Sequence, residues 1–436
     1  MIRFIFADLK RLWLGSLVVI LLVALATALG IAVTLQERSL RLGSARAADK
    51  FDLVIGAAGS ETQLVLSSVF LQASPLPLMP GEVLAKLAAD ARVAWAAPIG
   101  FGDSFQGYPI VGTTTALIGN TAGGFAEGQM FDAEGDAEIA AAVTLSVGDE
   151  GKPMHGGPLE GGHTHTELAY RVTGKLQPTG TAWDRAILVP IQAVWHIHGL
   201  GEGAEEHADH DHAAETEAHA EGEKPAGEHA EADHAGHDHD HDHHADAHAA
   251  LDETFDAGTP GLPAILVKPK TIADAYRLRQ EYRQGNTLAV FPGEVLTNLY
   301  ATLGDAKRIL IAVASGAQGL VAASLILVTV IHVGQRRRQI GALRAFGAPR
   351  LSVFAIVWSE LFVLIAVGIG LGFLIGYAAA QVLSGLFTAE SGITLPVSFA
   401  RSDLATLALL FGFAALLAAL PAVLAYRQSP AAALRA

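Results

Sequence analysis

The sequence contains no cysteine and few charged residues. Of its 436 residues, 17% are charged and 51% are hydrophobic, whereas a typical soluble protein carries about 25% charged residues. The absence of cysteine excludes disulfides, thiol catalysis, cysteine-ligated zinc sites and iron–sulfur clusters. The shortage of charge indicates that part of the chain lies in lipid.

Basic charge is scarce as well. The net charge is −15, but residues 199–258 alone contain 19 Asp and Glu residues and 1 Lys. The acidic balance therefore belongs to this segment, and the remainder of the chain is slightly basic. A nucleic-acid-binding protein needs a broad basic face that follows the phosphates. No such face remains, so nucleic acid is not an expected partner.

Common catalytic motifs are also missing. Gly151-Lys152 is followed by Pro153 and does not complete a G-x-x-x-x-G-K-[ST] phosphate loop. The sequence has no G-x-S-x-G elbow and no H-E-x-x-H helix. We therefore expect a protein that is not an enzyme and has no catalytic residues and no intrinsic cofactor.

Four long hydrophobic runs are present: Leu12–Leu35, Ile309–Val333, Leu351–Val382 and Leu404–Tyr426. At 1.5 Å per residue, about 24 helical residues extend about 36 Å, which is enough to cross a hydrocarbon core of about 30 Å. A cleaved signal peptide is the alternative for the first run, and buried soluble helices are the alternative for the others. The lengths favour transmembrane helices in all four cases.

Short basic segments flank these runs and predict their orientation. The cytoplasmic side of a membrane protein is enriched in Lys and Arg. The basic residues precede the first run, fill the loop between the second and third, and follow the fourth. They are Arg3, Lys10, Arg11, Arg336, Arg337, Arg338, Arg344, Arg350, Arg427 and Arg435. We expect a multi-pass protein of the inner (cytoplasmic) membrane in which one helix, a large external domain and three further helices follow in order.

The predicted layout begins at the N-terminus with a cytoplasmic amphipathic segment and ends with a cytoplasmic tail. Its parts are the amphipathic segment 1–11, transmembrane helix 12–35, periplasmic domain 36–305, transmembrane helix 306–333, cytoplasmic loop 334–350, transmembrane helix 351–383, periplasmic loop 384–403, transmembrane helix 404–426 and tail 427–436. The fold class is thus a membrane protein with four helices (1+3) and a large α+β extracytoplasmic domain inserted between helices 1 and 2.

Short apolar segments predict the α+β character of the external domain. Segments rich in Val, Ile and Leu between Gly and Pro turns predict strands, and amphipathic spacing predicts helices. The predicted strands are Phe51–Gly56, Ile110–Gly112, Leu168–Val172, Ala186–Pro190 and Ala264–Val267, and the predicted helices are Pro80–Asp90 and Ile272–Arg283. We expect 284–308 to become helical and lead into the second transmembrane helix.

Residues 199–258 form an insert of a different kind. They consist of Ala, Glu, Asp, Gly and His with almost no large apolar side chain, so burial cannot offset the entropy of ordering and disorder is expected. The insert carries 12 of the 18 histidines. Its run His237, His239, His241, His243 and His244 alternates with aspartates, and this chemistry suits Zn²⁺, Ni²⁺ or Cu²⁺.

Two histidine pairs outside the insert are further candidate metal ligands. His163/His165 and His196/His198 have an i, i+2 spacing, which places both rings on one face if the segment is a strand. Two such pairs on adjacent strands would supply up to four zinc ligands. A pair of surface histidines beside glycine-rich turns is the alternative, and a solvated acidic tether is the alternative for the insert.

The segment from Arg337 to Arg350, RRQIGALRAFGAPR, resembles the cytoplasmic R-x-x-I-G-x-x-(R/K)-x-x-G-A segment of MacB/FtsX-type ABC transporter permeases. The helix order, Glu360 with the glycine-rich helix after it, and the external segments Phe51–Gly56 and Val189-Pro190 are similar too. The His-rich insert departs from the macrolide and lipoprotein exporters of this family.

The resemblance implies a permease subunit that acts with a cytoplasmic ATPase, which binds the ATP and agrees with the missing phosphate loop. It implies a homodimer or a heterodimer with a second permease, and mechanotransmission or transport as the activity. The residues expected to contact the ATPase are Arg336, Arg337, Arg338, Gly341, Arg344, Gly347 and Arg350. Positive-inside anchoring is the alternative for these arginines.

Three further expectations concern helix packing, metal binding and alternative functions. Gly368, Gly372 and Gly376 have the small-xxx-small spacing that permits close helix packing. The histidines link the function to zinc or another transition metal, and a periplasmic metal-binding protein is a corresponding partner, with membrane lipids around the helices. The alternatives are a non-transport membrane regulator or metal sensor on the same scaffold and, more remotely, a membrane-anchored metalloenzyme.

Overall fold

A computed structural model describes residues 13–72, 74–156, 164, 168–200, 246–302 and 349–427, with scattered positions between 308 and 326. The chain divides into two compact units. The membrane unit comprises Met1–Lys50, Gly180–Ala182 and Pro292–Ala436, and the external unit comprises Phe51–Thr179 and Trp183–Phe291.

Three helices of the membrane unit are long and apolar enough to cross a bilayer, among the residues that the structure describes. They are α1 (Trp13–Ala48), α8 (Arg350–Ser391) and α9 (Arg401–Arg427), and a further helix, α7, covers 292–302. The predicted second transmembrane helix, 306–333, falls largely outside the described residues. The described helices thus give three of the four predicted spans.

The helix bounds differ from the predicted ones because helical hydrogen bonding continues past the apolar runs. Helix α1 extends 13 residues beyond Leu35, to Ala48. Helix α8 continues to Ser391 and ends at Gly392, which adopts a left-handed conformation (φ 73°) and donates its N–H to the Thr388 carbonyl. Glycine reaches this conformation without the steric cost of a side chain. The predicted loop 384–403 therefore shortens to 392–400.

The external unit is built on an 11-stranded mixed sheet. Its strands are β1 (Leu53–Ala57), β2 (Val93–Phe105), β3 (Tyr108–Thr113), β4 (Phe125–Gly128), β5 (Asp136–Ile139), β6 (Glu150–Gly151), β7 (Met154–His155), β8 (Tyr170–Leu176), β9 (Ile187–Pro190), β10 (Ala264–Pro269) and β11 (Thr287–Val290). The main path runs β11-β1-β10-β2-β3-β9-β5-β8-β4, with β7 paired to β2 and β6 to β8.

In the described part of the chain, five helices accompany this sheet, together with the 3-10 turn Ala182–Arg185. The helices are α2 (Glu61–Phe70), α3 (Glu82–Ala89), α4 (Thr115–Thr121), α5 (Ile191–Ile197) and α6 (Ile272–Glu281). The strands and helices predicted near Phe51, Ile110, Leu168, Ala186, Ala264, Pro80 and Ile272 are all confirmed as elements.

The 13-residue strand β2 joins two hydrophobic cores. Its first half pairs with β10, beside a core that includes Leu53, Leu84 and Ile265. Its second half pairs with β3, beside a core that includes Ile139 and Val189. The register between β2 and β3 shifts between Gly100 and Asp103. Such irregularities re-aim side chains where they occur.

Two predictions for the external unit are wrong in part. Residues Thr287–Val290 form strand β11 beside β1 instead of beginning a helix, because Leu288, Ala289 and Val290 fill the free edge of the sheet. Residues 246–258 of the insert, for which disorder was expected, lie in the described part of the chain and pack against the external unit. Ala250 forms a β-bridge with Ala133, and Phe255 packs edge-on against Trp195. This end of the insert holds apolar side chains that can be buried.

Candidate functional site

A row of three glycines in α8 packs against α1. Gly368, Gly372 and Gly376 are all buried. A Cβ atom at Gly372 would lie 2.5 Å from the Ala24 carbonyl oxygen, and one at Gly376 would lie 2.7 Å from the Ala28 carbonyl oxygen. The helix backbones approach closely along this face because no side chain separates them.

The residues expected to contact an ATPase lie mostly outside the described part of the chain. Arg336, Arg337, Arg338, Gly341, Arg344 and Gly347 are in this group. Arg350 is described: it is exposed and opens helix α8 directly after Pro349. Proline is well tolerated at the start of a helix because an N–H at this position would have no helical partner.

The external unit contains a cavity of about 530 Å³ in which acidic and imidazole groups meet apolar walls. Asp103 and His198 line it together with Leu78, Ile110, Val194 and Trp195. Concave, mostly apolar sites with a few convergent polar groups are the usual form of a small-ligand site. This cavity is therefore the candidate site of the external unit.

Asp103 and His198, which line this cavity, converge with His155 beside it. Within the part of the chain that the structure describes, they form a group in which one ligand atom of each residue lies within 4.8 Å of the others. Asp103 Oδ1 is 3.6 Å from His155 Nδ1 and 3.5 Å from His198 Nε2. The Asp103 side chain is 2% exposed, that of His198 19% and that of His155 48%.

Three different elements hold these side chains in place. Asp103 lies on β2 directly opposite His155 of β7, and the Gly156 N–H donates to the Gly102 carbonyl beside them at 2.8 Å. His198 caps the C-terminal end of α5. Gly102 has a φ of +146°, and a Cβ there would lie 3.2 Å from His198 Nε2, so glycine allows both the backbone bend and the approach of the ring.

A hydrogen bond fixes the orientation of the His198 ring, and a neighbouring charge affects its pKa. Its Nδ1 lies 2.9 Å from the Val194 carbonyl oxygen and donates to it, which directs Nε2 toward Asp103. The Asp103 carboxylate raises the pKa of His198 above its usual 6.5, against the lowering caused by burial. The arrangement can hold a proton shared by acid and imidazole, or a cation bonded to both.

The structure separates the predicted His196/His198 pair. Both residues were expected on a strand, but they lie at the end of helix α5, where an i, i+2 spacing turns the two rings to different sides. His196 Nδ1 contacts Glu134 Oε2 at 2.8 Å, whereas His198 contacts Asp103. The segment is helical because Ile191, Val194 and Trp195 bury one face at helical spacing.

The other predicted histidines lie outside the described residues. These are His163, His165, His237, His239, His241, His243 and His244. Sequence reasoning did not select Asp103 or His155 as ligands. The one available signal was an aspartate within the apolar strand segment from Ala97 to Phe105, because a buried acid requires compensation. That signal did not point to His155.

Comparisons with known proteins complete the description. Residues 311–430 match the family model described as FtsX-like permease C-terminal. A solved structure, the extracellular domain of the noncanonical ABC-type transporter YknZ from Gram-positive bacteria, aligns over 55% of this chain and 98% of its own, with 10% identity and a TM-score of 0.27. No curated protein matches the chain.

The chain is thus a membrane protein with a large extracytoplasmic domain. The match of residues 311–430 to the FtsX-like permease C-terminal model confirms, for this segment, the resemblance to FtsX/MacB-type permeases. This match favours a permease subunit of an ABC transporter that works with a separate cytoplasmic ATPase.

Proposed function

We propose that this protein transmits ATP hydrolysis by its partner ATPase across the membrane to the external unit, for transport or mechanotransmission. The basic loop 334–350 would receive the ATPase on the cytoplasmic side. Helices α1 and α8 would carry the movement because α1 leads directly in sequence into the external unit. The permease would act as a homodimer or as a heterodimer with a second permease.

One observation supports this proposal most strongly: the family match spans 311–430 and therefore includes the whole of the 334–350 loop. This loop holds five arginines in 17 residues, a density that suits contact with an acidic surface as well as membrane anchoring. The close glycine packing of α8 on α1 also supports the proposal, since tightly packed helices move as a unit.

The test uses the full chain in lipid nanodiscs together with the cytoplasmic ABC ATPase that co-purifies with it. We expect Arg344→Glu to weaken ATPase binding and to lower stimulated hydrolysis about 10- to 100-fold, since loss of charged hydrogen bonds costs about 1.5–3 kcal/mol. Arg401→Glu is the matched control, because Arg401 is exposed and lies at the opposite, predicted extracytoplasmic side. Equal binding and hydrolysis in both variants would contradict coupling through the loop.

A second candidate function links the permease to zinc or a related transition metal. It is favoured by the histidine-rich insert, in which imidazoles alternate with carboxylates. Under this proposal the external unit receives the metal from a periplasmic metal-binding protein, or senses it on the same scaffold. Zinc-dependent change of ATPase stimulation in nanodiscs tests it, and a rate independent of zinc would argue against it.

A further inference from the structure

We propose that Asp103, His155 and His198 form a transition-metal centre, of the class that takes Zn²⁺, at the edge of the external cavity. The inference deepens the metal-linked form of the proposed function, but metal binding at this point does not depend on ATPase coupling. It places a defined site in the folded external unit, and this site uses none of the histidines of the insert.

The distances between the ligand atoms suit a zinc ion. Zinc bonds to imidazole nitrogen at about 2.0–2.1 Å and to carboxylate oxygen at about 2.0–2.2 Å. In a tetrahedron with such bonds, neighbouring ligand atoms lie roughly 3.3–3.5 Å apart. The distances from Asp103 Oδ1 to His155 Nδ1 and His198 Nε2 are 3.6 and 3.5 Å. The three ligand atoms all lie within 4.8 Å of one another, so one ion can bond all three groups once the exposed His155 ring rotates toward His198.

The surroundings orient His198 as a metal ligand. Ligating histidines almost always donate their second ring N–H to a carbonyl or carboxylate, which fixes the tautomer. His198 Nδ1 has this partner in the Val194 carbonyl at 2.9 Å, so Nε2 presents its lone pair on the side of Asp103. The ring of His155 lies against that of His198, with centroids 5.6 Å apart.

The charge and the types of ligand indicate which metal ions the site would prefer. Two imidazoles and one carboxylate, without sulfur, suit Zn²⁺ and its divalent neighbours more than Cu⁺ or Ca²⁺. A dication also neutralises the Asp103 carboxylate, which burial otherwise penalises.

The cavity determines what the centre can do. Asp103 and His198 line the cavity of about 530 Å³, and within the described residues no further His, Asp or Glu joins the group, so a fourth coordination position is open to the cavity. Structural zinc sites are closed by four protein ligands, whereas sites with three ligands keep a position for water or an incoming group. The centre therefore suits exchange of the metal with an imidazole or carboxylate of a donor.

The competing explanation is a metal-free acid–imidazole pair in which Asp103 holds protonated His198. Both arrangements use the same contacts, so the test must measure the metal itself. The eleven histidines of 201–245 would obscure the result, and a background variant with all of them changed to Asn removes their contribution while preserving the chain length.

The experiment titrates this full-length background in detergent with Zn²⁺ alone, by calorimetry and by competition with a chelating dye. We expect one tightly bound Zn²⁺ per chain. Asp103→Asn, His155→Ala and His198→Ala should each weaken binding more than about 100-fold, since loss of an outer-shell partner alone costs about 10- to 100-fold. Co²⁺ bound in place of Zn²⁺ should give the intense visible absorption of four- or five-coordinate cobalt.

His196→Ala is the matched control, because His196 is on the same helix, is exposed and contacts Glu134. It should leave the zinc affinity within about threefold of that of the background.

His155→Ala tests the proposal even if Asp103→Asn unfolds, since His155 is half-exposed and its replacement should leave the fold intact. Zinc affinity unchanged by His155→Ala, or no stoichiometric site in the background, would overturn the proposal. ATPase stimulation in the Arg344 test is measured without zinc, so failure of either idea is distinguishable from failure of the other.

Discussion

Arg38 of α1 and Asp403 of α9 form a two-pronged ion pair. Arg38 Nη1 donates to Asp403 Oδ2 at 2.6 Å, and Nη2 donates to Oδ1 at 2.7 Å. Their side chains are 15% and 9% exposed. The same carboxylate accepts the Ala400 N–H at 2.8 Å, so it also holds the first turn of α9. The planar guanidinium matches this carboxylate geometry, and the pair ties the first and last described membrane helices together.

We predict that Arg38→Ala lowers the free energy of unfolding by about 2 kcal/mol, because it leaves a largely buried carboxylate without its cation. Arg38→Lys should recover part of this, since lysine keeps the charge but not the paired hydrogen bonds. Unfolding in mixed micelles by titration with a denaturing detergent measures both.

Arg41→Ala provides the control for this prediction. Arg41 belongs to the same helix, is 55% exposed and lies 3.8 Å from Glu37, and an exposed pair of this kind contributes at most about 0.5 kcal/mol. If the Arg38 and Arg41 variants lost equal stability, the contact with Asp403 would not be the stabilising element.

The glycine face of α8 gives a second prediction. Gly372→Ala should destabilise the membrane unit by about 2 kcal/mol, because the new Cβ would lie 2.5 Å from a carbonyl of α1 and the helices would have to separate. The same detergent titration reports the loss, and crosslinking of cysteines placed on α1 and α8 reports the separation.

Gly370→Ala is the internal control, two residues away on the same helix. Apart from the backbone of its own helix and its chain neighbours, no atom of the described residues lies within 4 Å of a Cβ placed at Gly370, and alanine favours a helix over glycine by about 1 kcal/mol. This variant should be neutral or slightly more stable. A loss at Gly370 as large as that at Gly372 would show that helix propensity, and not packing on α1, governs the response.

Glu138 of β5 gives the external unit a predicted pH dependence. Burial raises the pKa of Glu138 to about 8, aided by the nearby Asp136 carboxylate and opposed by the N–H of Phe131, which donates to Oε1 at 2.8 Å. Because the folded state binds this proton more tightly than the unfolded state, stability is full below about pH 4.5 and falls as pH rises toward about 8.

The measurement compares thermal unfolding of the parent with Glu138→Gln at pH 5 and pH 8.5, followed by tryptophan fluorescence. The amide still accepts the hydrogen bond from the Phe131 N–H but does not ionise. As pH rises, the unfolding temperature of the variant should therefore increase relative to that of the parent. Glu127→Gln, at an exposed position of β4, is the control and should track the parent. A constant difference between parent and Glu138→Gln across this range would rule out titration of the buried carboxyl.

Residue patterns predicted the elements of the external unit better than their assembly. The apolar segments at Phe51, Ile110 and Ala264 became strands because their β-branched residues can be buried on both faces of a covered sheet. The His196/His198 pair was assigned to a strand wrongly, since the helical spacing of Ile191, Val194 and Trp195 outweighs the strand before it. The end of the insert was missed because its ordering depends on Ala133 and Trp195, which are distant in sequence.

The sequence by itself determined the membrane character, because runs of more than about 20 apolar residues cannot remain in water. It also determined the histidine-rich composition of the insert and the lack of a phosphate loop. Only the tertiary structure decided that Asp103 faces His155 across a strand pair and that His198 reaches both from the end of a helix. Strand register and helix docking bring together residues more than 40 positions apart in the sequence. Local composition cannot predict contacts between residues so far apart.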